Sequence, residues 1–332
     1  MNYGTRTDPH AQARAARQGP VLLHSLSCFR EIFEIVYAHR PIRTVVEVGV
    51  ESGQVSGIYT ELGATAVYCV DPEPTDSLRA ALRANPALHL VEAHSPDVLP
   101  ELPVADLYVL DGDHNYATVR AELDWVLANA PDAVAVLHDL LWPCSRRDQY
   151  YLPSRLAPED RHPSSADGPT VWHDELTPAG FVGLGAFTAA QEAGGERNGV
   201  LTAVEDALAA HDGWHLAMVP AIFGVGVVTR HEALLGALAP YRDSRLLYTM
   251  ENNRIALYTR LLQLQFEAVA HAEDADTMAE TVNRQRQEID RLTAETADLR
   301  AQAGELRRQN ERLRAMVDER SPSLADRVLR RQ

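Results

Sequence analysis

Two glycines and two acids mark the points where two successive apolar runs end. The segment Glu47–Gly53, of sequence EVGVESG, follows the first run and leads into a helical stretch. Glycine lets the backbone turn sharply and approach a ligand closely, and the first turn of a helix offers free N–H groups. Asp71 ends the second run, where a carboxylate can accept hydrogen bonds from both hydroxyls of a ribose. This spacing predicts a nucleoside-binding site at one end of a sheet.

The acid that leads the glycine loop favours one class of nucleoside over another. A nicotinamide dinucleotide would require G-x-G-x-x-G, with its pyrophosphate at the helix N-terminus. Here Glu47 opens an E-x-G-x-x-x-G loop and would repel a pyrophosphate. S-adenosylmethionine (SAM) carries an ammonium and a sulfonium, so the acid favours SAM. An NAD-dependent oxidoreductase is the alternative, and calorimetry with the two ligands would separate them.

A second group of polar residues follows the fourth and fifth apolar runs. The fourth run ends in Asp111–Tyr116, of sequence DGDHNY, and the fifth ends in His138-Asp139. Carboxylates suit Mg²⁺, and imidazole also admits Mn²⁺. A metal bound to a substrate hydroxyl would lower its pKa and orient the alkoxide. The alternative for Asp113 and Asn115 is that they only cap the following helix.

Short apolar runs alternate with helical stretches through the first half of the chain. This order predicts an α/β, Rossmann-like, doubly wound fold with a mostly parallel seven-stranded sheet. Two later runs, near Trp214–Val219 and Phe223–Thr229, predict an antiparallel hairpin at the sheet edge. The first five predicted strands are Thr44–Val48, Ala66–Val70, Leu88–Glu92, Asp106–Leu110 and Ala133–Leu137.

The C-terminal part predicts a coiled-coil helix. Leucine recurs at every seventh position from Leu292 to Leu313, and apolar or small residues alternate at spacings of three and four. Leucine at d with Asn310 at a favours a parallel dimer, so we expect a homodimer through residues 261–317. The alternative is a helix that folds back on its own domain.

These patterns divide the chain into four parts. We expect a loose N-terminal arm over residues 1–20, an α/β domain over 21–250, a coiled coil over 251–320 and a tail over 321–332. Within the domain, residues 140–198 lack periodicity and predict a substrate insert or lid. Its aromatic and arginine side chains suit a sugar or an anionic acceptor, although surface Arg–Asp pairs would explain them equally. The aromatic and charged residues of the insert include Trp142, Arg146, Arg147, Asp148, Tyr150, Tyr151, Trp172 and Asp174.

Composition excludes several partners. The formal net charge is −16, which gives no general attraction to nucleic acid or to anionic membranes, so we expect neither as a partner. The chain contains no lysine, which excludes a lysine base. The three cysteines, Cys28, Cys69 and Cys144, share no metal-binding spacing and predict reduced thiols. Without a recognisable signal segment, the cytoplasm is the expected location.

The loop Glu47–Gly53, Asp71, the segment Asp111–Tyr116 and His138-Asp139 together resemble the class I SAM-dependent methyltransferases. Within that class the chain is similar to the methyltransferase 24 group, which is related to the macrocin and catechol O-methyltransferases. The resemblance covers residues 20–230 and omits the coiled coil. It implies that seven residues contact SAM: Glu47, Gly49 and Gly53 at its methionine end, Asp71 at the ribose, His94 and Ser95 beside the adenine, and Asp111.

The resemblance also implies a metal site and a base. Asp111, His138 and Asp139 stand where metal-dependent relatives bind Mg²⁺ or Mn²⁺. His114 occupies the place of the lysine base of catechol-type enzymes and could take a hydroxyl proton, with Asp111 as its catalytic neighbour. We therefore expect SAM-dependent O-methylation of a small molecule, such as a sugar or a natural-product hydroxyl. A coiled-coil scaffold with a SAM- or nucleotide-sensing domain is the second hypothesis.

Overall fold

The computed structural model describes residues 25–320. The predicted arm, residues 1–20, and the predicted tail, residues 321–332, lie outside the described residues. A 3-10 turn over Leu26–Phe29 opens the described chain. The α-helices are α1 Arg30–His39, α2 Ser56–Glu61, α3 Asp76–Arg83, α4 Tyr116–Asn129, α5 Val200–Ala210, α6 Glu232–Ala237 and α7 Arg245–Arg320. Among the described residues, no helix is both long enough and apolar enough to cross a bilayer.

The sheet confirms the predicted fold class. Seven strands lie in the order β3-β2-β1-β4-β5-β10-β9. The five central strands pair in parallel, and β10 pairs antiparallel with both β5 and β9. The seven strands of this sheet are β1 Thr44–Val48, β2 Ala66–Val70, β3 Leu88–Val91, β4 Leu107–Leu110, β5 Val134–Leu137, β9 His215–Val219 and β10 Val225–Thr229. Each lies within one residue or two of its predicted bounds.

Helices cover both faces of this sheet. Phe33 of α1 packs in the same apolar cluster as Val45 of β1. The next residue, Val46, faces the opposite layer and packs with Leu123 of α4 and Val204 of α5. Because successive strand residues point to opposite faces and both faces are buried, polar ligand-binding groups must lie at the strand ends.

The insert contains a second sheet that its sequence does not reveal. Three short strands, β6 Gln149–Tyr150, β7 Ser164–Ser165 and β8 Thr188–Ala190, pair antiparallel in the order β6-β8-β7. Strands of two or three residues are too short to show a period. The carboxylate of Asp148, fully buried, accepts hydrogen bonds from the backbone N–H groups of Tyr116 and Gly199, both at 2.7 Å. Asp148 therefore joins the insert to the start of α4 and the start of α5.

Helix α7 belongs to two units of the chain. Residues up to Ala268 form one compact unit with the sheet, and Val269 begins the second. The first part of α7, residues 245–268, thus belongs to the first unit, while the coiled coil over 251–320 and the back-folded alternative stay predictions. In the second unit, the leucines from Leu292 to Leu313 at seven-residue spacing are 46% to 65% exposed.

Glu251 of α7 holds the loop between β9 and β10. Ile222 and Phe223 both have positive φ, 45° and 64°, in the left-handed region that non-glycine residues rarely adopt. Their backbone N–H groups donate to the two oxygens of Glu251, at 3.0 and 2.8 Å. Arg254 donates to both of the same oxygens. The buried carboxylate thereby fixes an otherwise strained turn.

We expect the substitution Glu251→Gln to destabilise the first unit by about 2 kcal/mol, because the amide N–H₂ would face a backbone N–H donor and leave it unsatisfied. Urea unfolding and amide hydrogen exchange at Phe223 measure this effect. The matched control is Glu280→Gln, an exposed position on the same helix. Equal stability and equal exchange in the two variants would contradict the role of Glu251.

Candidate active site

A cavity of about 1070 Å³ opens at the carboxyl ends of the central strands. The ends of β1, β2, β4 and β5 all contribute to its wall, as expected for an open parallel sheet. The predicted site residues that line it are Gly49, Asp71, His94, Ser95, Asp111, His114, His138 and Asp139. Residues from distant parts of the sequence therefore converge on one cavity.

Glu47, a predicted cofactor residue, lies elsewhere. Its side chain is buried and does not line the cavity. Its carboxylate accepts hydrogen bonds from the hydroxyls of Ser56, on α2, and Tyr59, the latter at 3.2 Å. Burial raises the pKa of Glu47 to about 7. In the structure the acid links β1 to the helix that follows the loop, and its predicted contact with the cofactor stays a prediction.

The two glycines of the loop have different roles. Gly49 lines the cavity with φ of +83°, and a Cβ atom there would lie 2.3 Å from the carbonyl oxygen of Asp111. Only glycine allows the loop to approach the end of β4 this closely. Gly53 also has positive φ, +73°, but a Cβ atom there would meet Leu78 of α3 at 3.1 Å. Gly53 shapes the turn and does not line the cavity, and its predicted contact with the cofactor stays a prediction.

Asp71 and a buried acid from α4 mark the predicted nucleoside half of the cavity. Asp71 Oδ1 accepts a hydrogen bond from the backbone N–H of Glu73 at 2.9 Å. Glu122 also lines the cavity, and burial raises its pKa to about 8. The Ser95 hydroxyl lowers the pKa of Glu122 in part, yet Glu122 Oε1 and Ser95 Oγ are among the buried polar atoms of the described residues that make no hydrogen bond of ordinary geometry. Such atoms are costly unless a ligand or water satisfies them.

Glu122 was not predicted as a site residue, although its position on the apolar face of a predicted helix could have indicated it. It lies with Val119, Leu123 and Val126 on one face of α4, all buried. An acid among apolar residues at helical spacing must be paired, neutral or ligand-bound, because an isolated buried charge is strongly unfavourable.

Two histidines and two aspartates form a compact cluster at the other half of the cavity. His114 Nε2 lies 3.4 Å from Asp111 Oδ1 and 3.3 Å from Asp139 Oδ2. His138 Nδ1 lies 3.4 Å from the same oxygen of Asp111 and 3.7 Å from Asp139 Oδ2. The structure thus brings together all four residues predicted for the base and the metal site.

Charges within this cluster control its protonation. Burial alone would raise the pKa of Asp111, but His138 and His114 lower it well below its usual range. Burial alone would lower the pKa of His138, but Asp139 and Asp111 raise it to about 9. Burial also lowers the pKa of His114, but the charge of Asp139 outweighs this effect, and the pKa lies well above its usual value. Without a cation, the cluster is a set of ion pairs.

The donor set fits a divalent cation. The ligand atoms of Asp111, His138 and Asp139 all lie within 4.8 Å of one another. His138 Nε2 is 2.9 Å from the carbonyl oxygen of Ile222, to which it donates, so Nδ1 faces the carboxylates and would be the ligand nitrogen once a cation displaces its proton. A ligating histidine is usually oriented by such a bond. A second group, His114, Asp139 and Cys144, meets the same criterion, although the cysteine spacing did not predict it.

The capping alternative describes Asn115 correctly. Asn115 is the N-cap of α4, and its Oδ1 accepts a hydrogen bond from the N–H of Thr118 at 2.9 Å. Asp113 lines the cavity, but its Oδ1 accepts from the backbone N–H of His114 at 3.0 Å. Neither belongs to the groups of described residues that could hold a metal.

The insert contributes aromatic residues and no free arginine. Arg147 donates to the carbonyl oxygens of Ala190, Gln191 and Asp174 and is buried. Arg146 pairs with Glu205 of α5 at 2.5 Å. Both arginines have structural partners, which favours the alternative of Arg–acid pairs over the binding of an anionic acceptor. The cavity is instead lined by Tyr151, Phe181 and Phe187 from the insert, Phe223 from the β9–β10 loop and Tyr258 from α7.

Comparisons with known proteins find likenesses to methyltransferases. Three solved structures are similar to it. The SAH-bound methyltransferase PaMTH1 of Podospora anserina is 13% identical over 66% of this chain and 85% of its own, with a TM-score of 0.40. A Staphylococcus aureus protein assigned as a caffeoyl-CoA O-methyltransferase is 9% identical over 64% and 87%, with a TM-score of 0.38. The CcbJ methyltransferase of Streptomyces caelestis is 15% identical over 66% and 95%, with a TM-score of 0.37.

No curated protein matches the sequence. Because the TM-scores are below 0.5, these three structures carry no argument about this chain, and the family comparison is considered by itself. Residues 46–140 match a family model described as a methyltransferase domain, the methyltransferase 24 family. The matched segment contains Gly49, Asp71, Asp111 and His138-Asp139, which line the cavity. Residues 46–140 are therefore similar to this methyltransferase family, which bears out the resemblance of this segment to the class I SAM-dependent methyltransferases.

Proposed function

We propose that the protein transfers the methyl group of SAM to a hydroxyl oxygen of a small molecule. One observation carries the proposal: the glycine loop, the Asp71 carboxylate and the cluster around Asp111 line a single cavity. That cavity, of about 1070 Å³, has room for a cofactor beside an acceptor.

The residues of the nucleoside half fit SAM. When bound, SAM supplies an electrophilic methyl group, whose bond to sulfur breaks as the acceptor oxygen forms a bond to carbon. Gly49 leaves the space for a close approach of the ligand to the backbone, space that a Cβ atom would fill. Asp71 can accept hydrogen bonds from the ribose hydroxyls, and the buried Ser95 and Glu122 side chains, which interact with each other, add polar groups to the lining. Catalysis would then come mainly from positioning the two reactants.

The acceptor hydroxyl must lose its proton, and His114 is the candidate base. In the cluster as it stands, Asp139 and Asp111 keep His114 protonated near neutral pH, because they raise its pKa. Asp111, His138 and Asp139 would hold a divalent cation, which would supply Lewis acidity to the acceptor oxygen. With both carboxylates engaged in that way, His114 would lose the charges that raise its pKa and could accept the proton.

We expect Asp71→Asn to weaken SAH binding by about 10-fold, because an amide keeps the bond to the N–H of Glu73 but loses the charged acceptor. Calorimetry on the full chain measures the dissociation constant. Glu101→Ala, an exposed position away from the cavity, is the control. Binding of NAD in place of SAH by the unsubstituted protein would overturn the proposed cofactor.

We expect Mn²⁺ to bind at one ion per chain, and Asp139→Asn to weaken that binding at least 10-fold by removing one charged ligand. Electron paramagnetic resonance of free Mn²⁺ measures both quantities without an acceptor. Asp113→Asn is the matched control, because Asp113 lies nearby and outside the ligand group. If the unsubstituted protein leaves all Mn²⁺ free, metal assistance is excluded and the histidines must act alone.

We also propose that the chain pairs with a second copy through residues 261–317, as a parallel coiled coil. The seven-residue leucine repeat and Asn310 at an a position support this, because an apolar stripe exposed in the single chain gains stability when a partner buries it. Glu295 at g and Arg300 at the next e would attract each other across such a dimer.

Sedimentation equilibrium tests the pairing. We expect about twice the chain mass of 36.6 kDa for the unsubstituted protein and a monomer for the double variant Leu299→Glu, Leu306→Glu. The control variant Ala294→Glu, Ala301→Glu places the same charges at exposed f positions and should remain dimeric. A monomeric unsubstituted protein would refute the dimer.

A further inference from the structure

One wall of the cavity is a continuous series of aromatic rings, here called the aromatic wall: Tyr151, Phe181, Phe187, Phe223 and Tyr258. The ring centroids of Tyr151 and Phe187 lie 5.5 Å apart, and those of Phe187 and Phe181 lie 5.7 Å apart. Phe181 continues to Tyr258 at 6.1 Å and to Phe223 at 6.2 Å. These separations are typical of mutually stabilising aromatic pairs.

The aromatic wall begins at the candidate base. The rings of Tyr151 and His114 meet edge to face, with centroids 5.7 Å apart. His114 Nε2 in turn lies 3.3 Å from Asp139 Oδ2. A molecule that packs on the wall can therefore present a hydroxyl to the cluster of carboxylates and histidines without leaving the aromatic surface.

The charges of the cavity disfavour an anionic molecule. Arg155, the one arginine among the described lining residues, is bound to Asp97 at 2.7 Å. The acidic lining residues are Glu51, Asp71, Glu73, Asp97, Asp111, Asp113, Glu122 and Asp139. Asp111 and Asp139 face the protonated His114 and His138, and burial raises the pKa of Glu122 to about 8, so these acids add little net charge. The lining then offers no unpaired cation among the described residues, and a phosphate, sulfonate or carboxylate on the acceptor would meet the negative faces of the rings without a partner of opposite charge.

The wall also disfavours a polyol. Val182, Leu184 and Leu262 add apolar surface to the lining. Apart from Gln265 and the hydroxyls of Tyr151 and Tyr258, a sugar packed on the rings and these side chains would find few partners, and each unsatisfied hydroxyl costs roughly 1–3 kcal/mol. An aromatic compound gains from ring contacts and needs only the hydroxyl at the cluster to be satisfied.

Helix α7 supplies part of this wall. Tyr258 and Leu262 lie one turn apart on the same helix face and both line the cavity. Two residues near the start of the helix contact Phe223. Glu251 accepts a hydrogen bond from its backbone N–H at 2.8 Å, and the guanidinium of Arg254 lies 4.7 Å from its ring centroid. The first turns of α7 are thus part of the site as well as the beginning of the predicted coiled coil.

We infer that the acceptor is a planar aromatic hydroxyl compound without negative charge, held by the aromatic wall and in part by Tyr258 of α7. The inference rests on the proposed function, since it names the acceptor of the same site. It selects an uncharged aromatic hydroxyl compound over the sugar and the anionic acceptor that the sequence leaves open.

The test uses the full chain saturated with SAH and three probes of known charge and polarity. Calorimetry should give a dissociation constant for 2-naphthol at least 10-fold lower than for 2-naphthol-6-sulfonate or methyl β-D-glucopyranoside. Tyr258→Leu should weaken 2-naphthol binding about 5-fold, Tyr258→Phe should retain it, and neither should change the dissociation constant of SAH. Tyr248→Leu, an exposed tyrosine of α7 outside the cavity, is the control.

Two outcomes are distinguishable from failure of the proposed function. If SAH binds but the sulfonate or the glucoside binds as tightly as 2-naphthol, the aromatic acceptor is refuted while SAM-dependent transfer stands. If SAH binds and none of the three probes does, the inference also fails. Absence of SAH binding by the unsubstituted protein would refute the proposed function itself and the acceptor with it.

Discussion

The site depends on the close approach of two backbones at the ends of β1 and β4. Gly49 lies so near the carbonyl of Asp111 that any side chain would overlap it, at 2.3 Å for a Cβ atom. This contact places the glycine loop directly beside the first acid of the cluster. A cofactor on the loop and an acceptor at the cluster would consequently be neighbours, which is the geometry that methyl transfer between two bound molecules requires.

A chain of buried polar contacts carries the position of the cluster outward to α7. His138 is oriented by the carbonyl of Ile222, whose own N–H is held by Glu251. Ile222 and the adjacent Phe223 have left-handed backbone conformations, which persist only when surrounding structure compensates their strain. The helix that the sequence presents as an appendage therefore fixes both a candidate metal ligand and one ring of the aromatic wall.

The sequence predicted the strands and the convergence of their ends, because buried parallel strands are continuous apolar runs and their carboxyl ends share one edge. Asp71, Asp111, His114 and His138-Asp139 follow from that rule. The rule does not place Glu47. Its side chain lies on the strand face that meets α2 and not the cavity, and the spacing of residues in the sequence does not reveal which face a strand residue occupies. Phe181 lies in an insert whose sequence has no period. Tyr258 lies on a different face of α7 from the heptad residues, so the sequence predicted neither of these two residues of the site.

The first turns of α7 show how one helix can serve two surfaces. Tyr258, Leu262 and Gln265 line the cavity, at spacings of four and three residues. Leu257, Leu261 and Leu264 repeat the same spacing one residue earlier and are 40% to 65% exposed. At 100° per residue the two sets occupy separate faces. Pairing of two chains along the leucine face would leave the cavity face free, so dimer formation and acceptor binding need not compete for the helix.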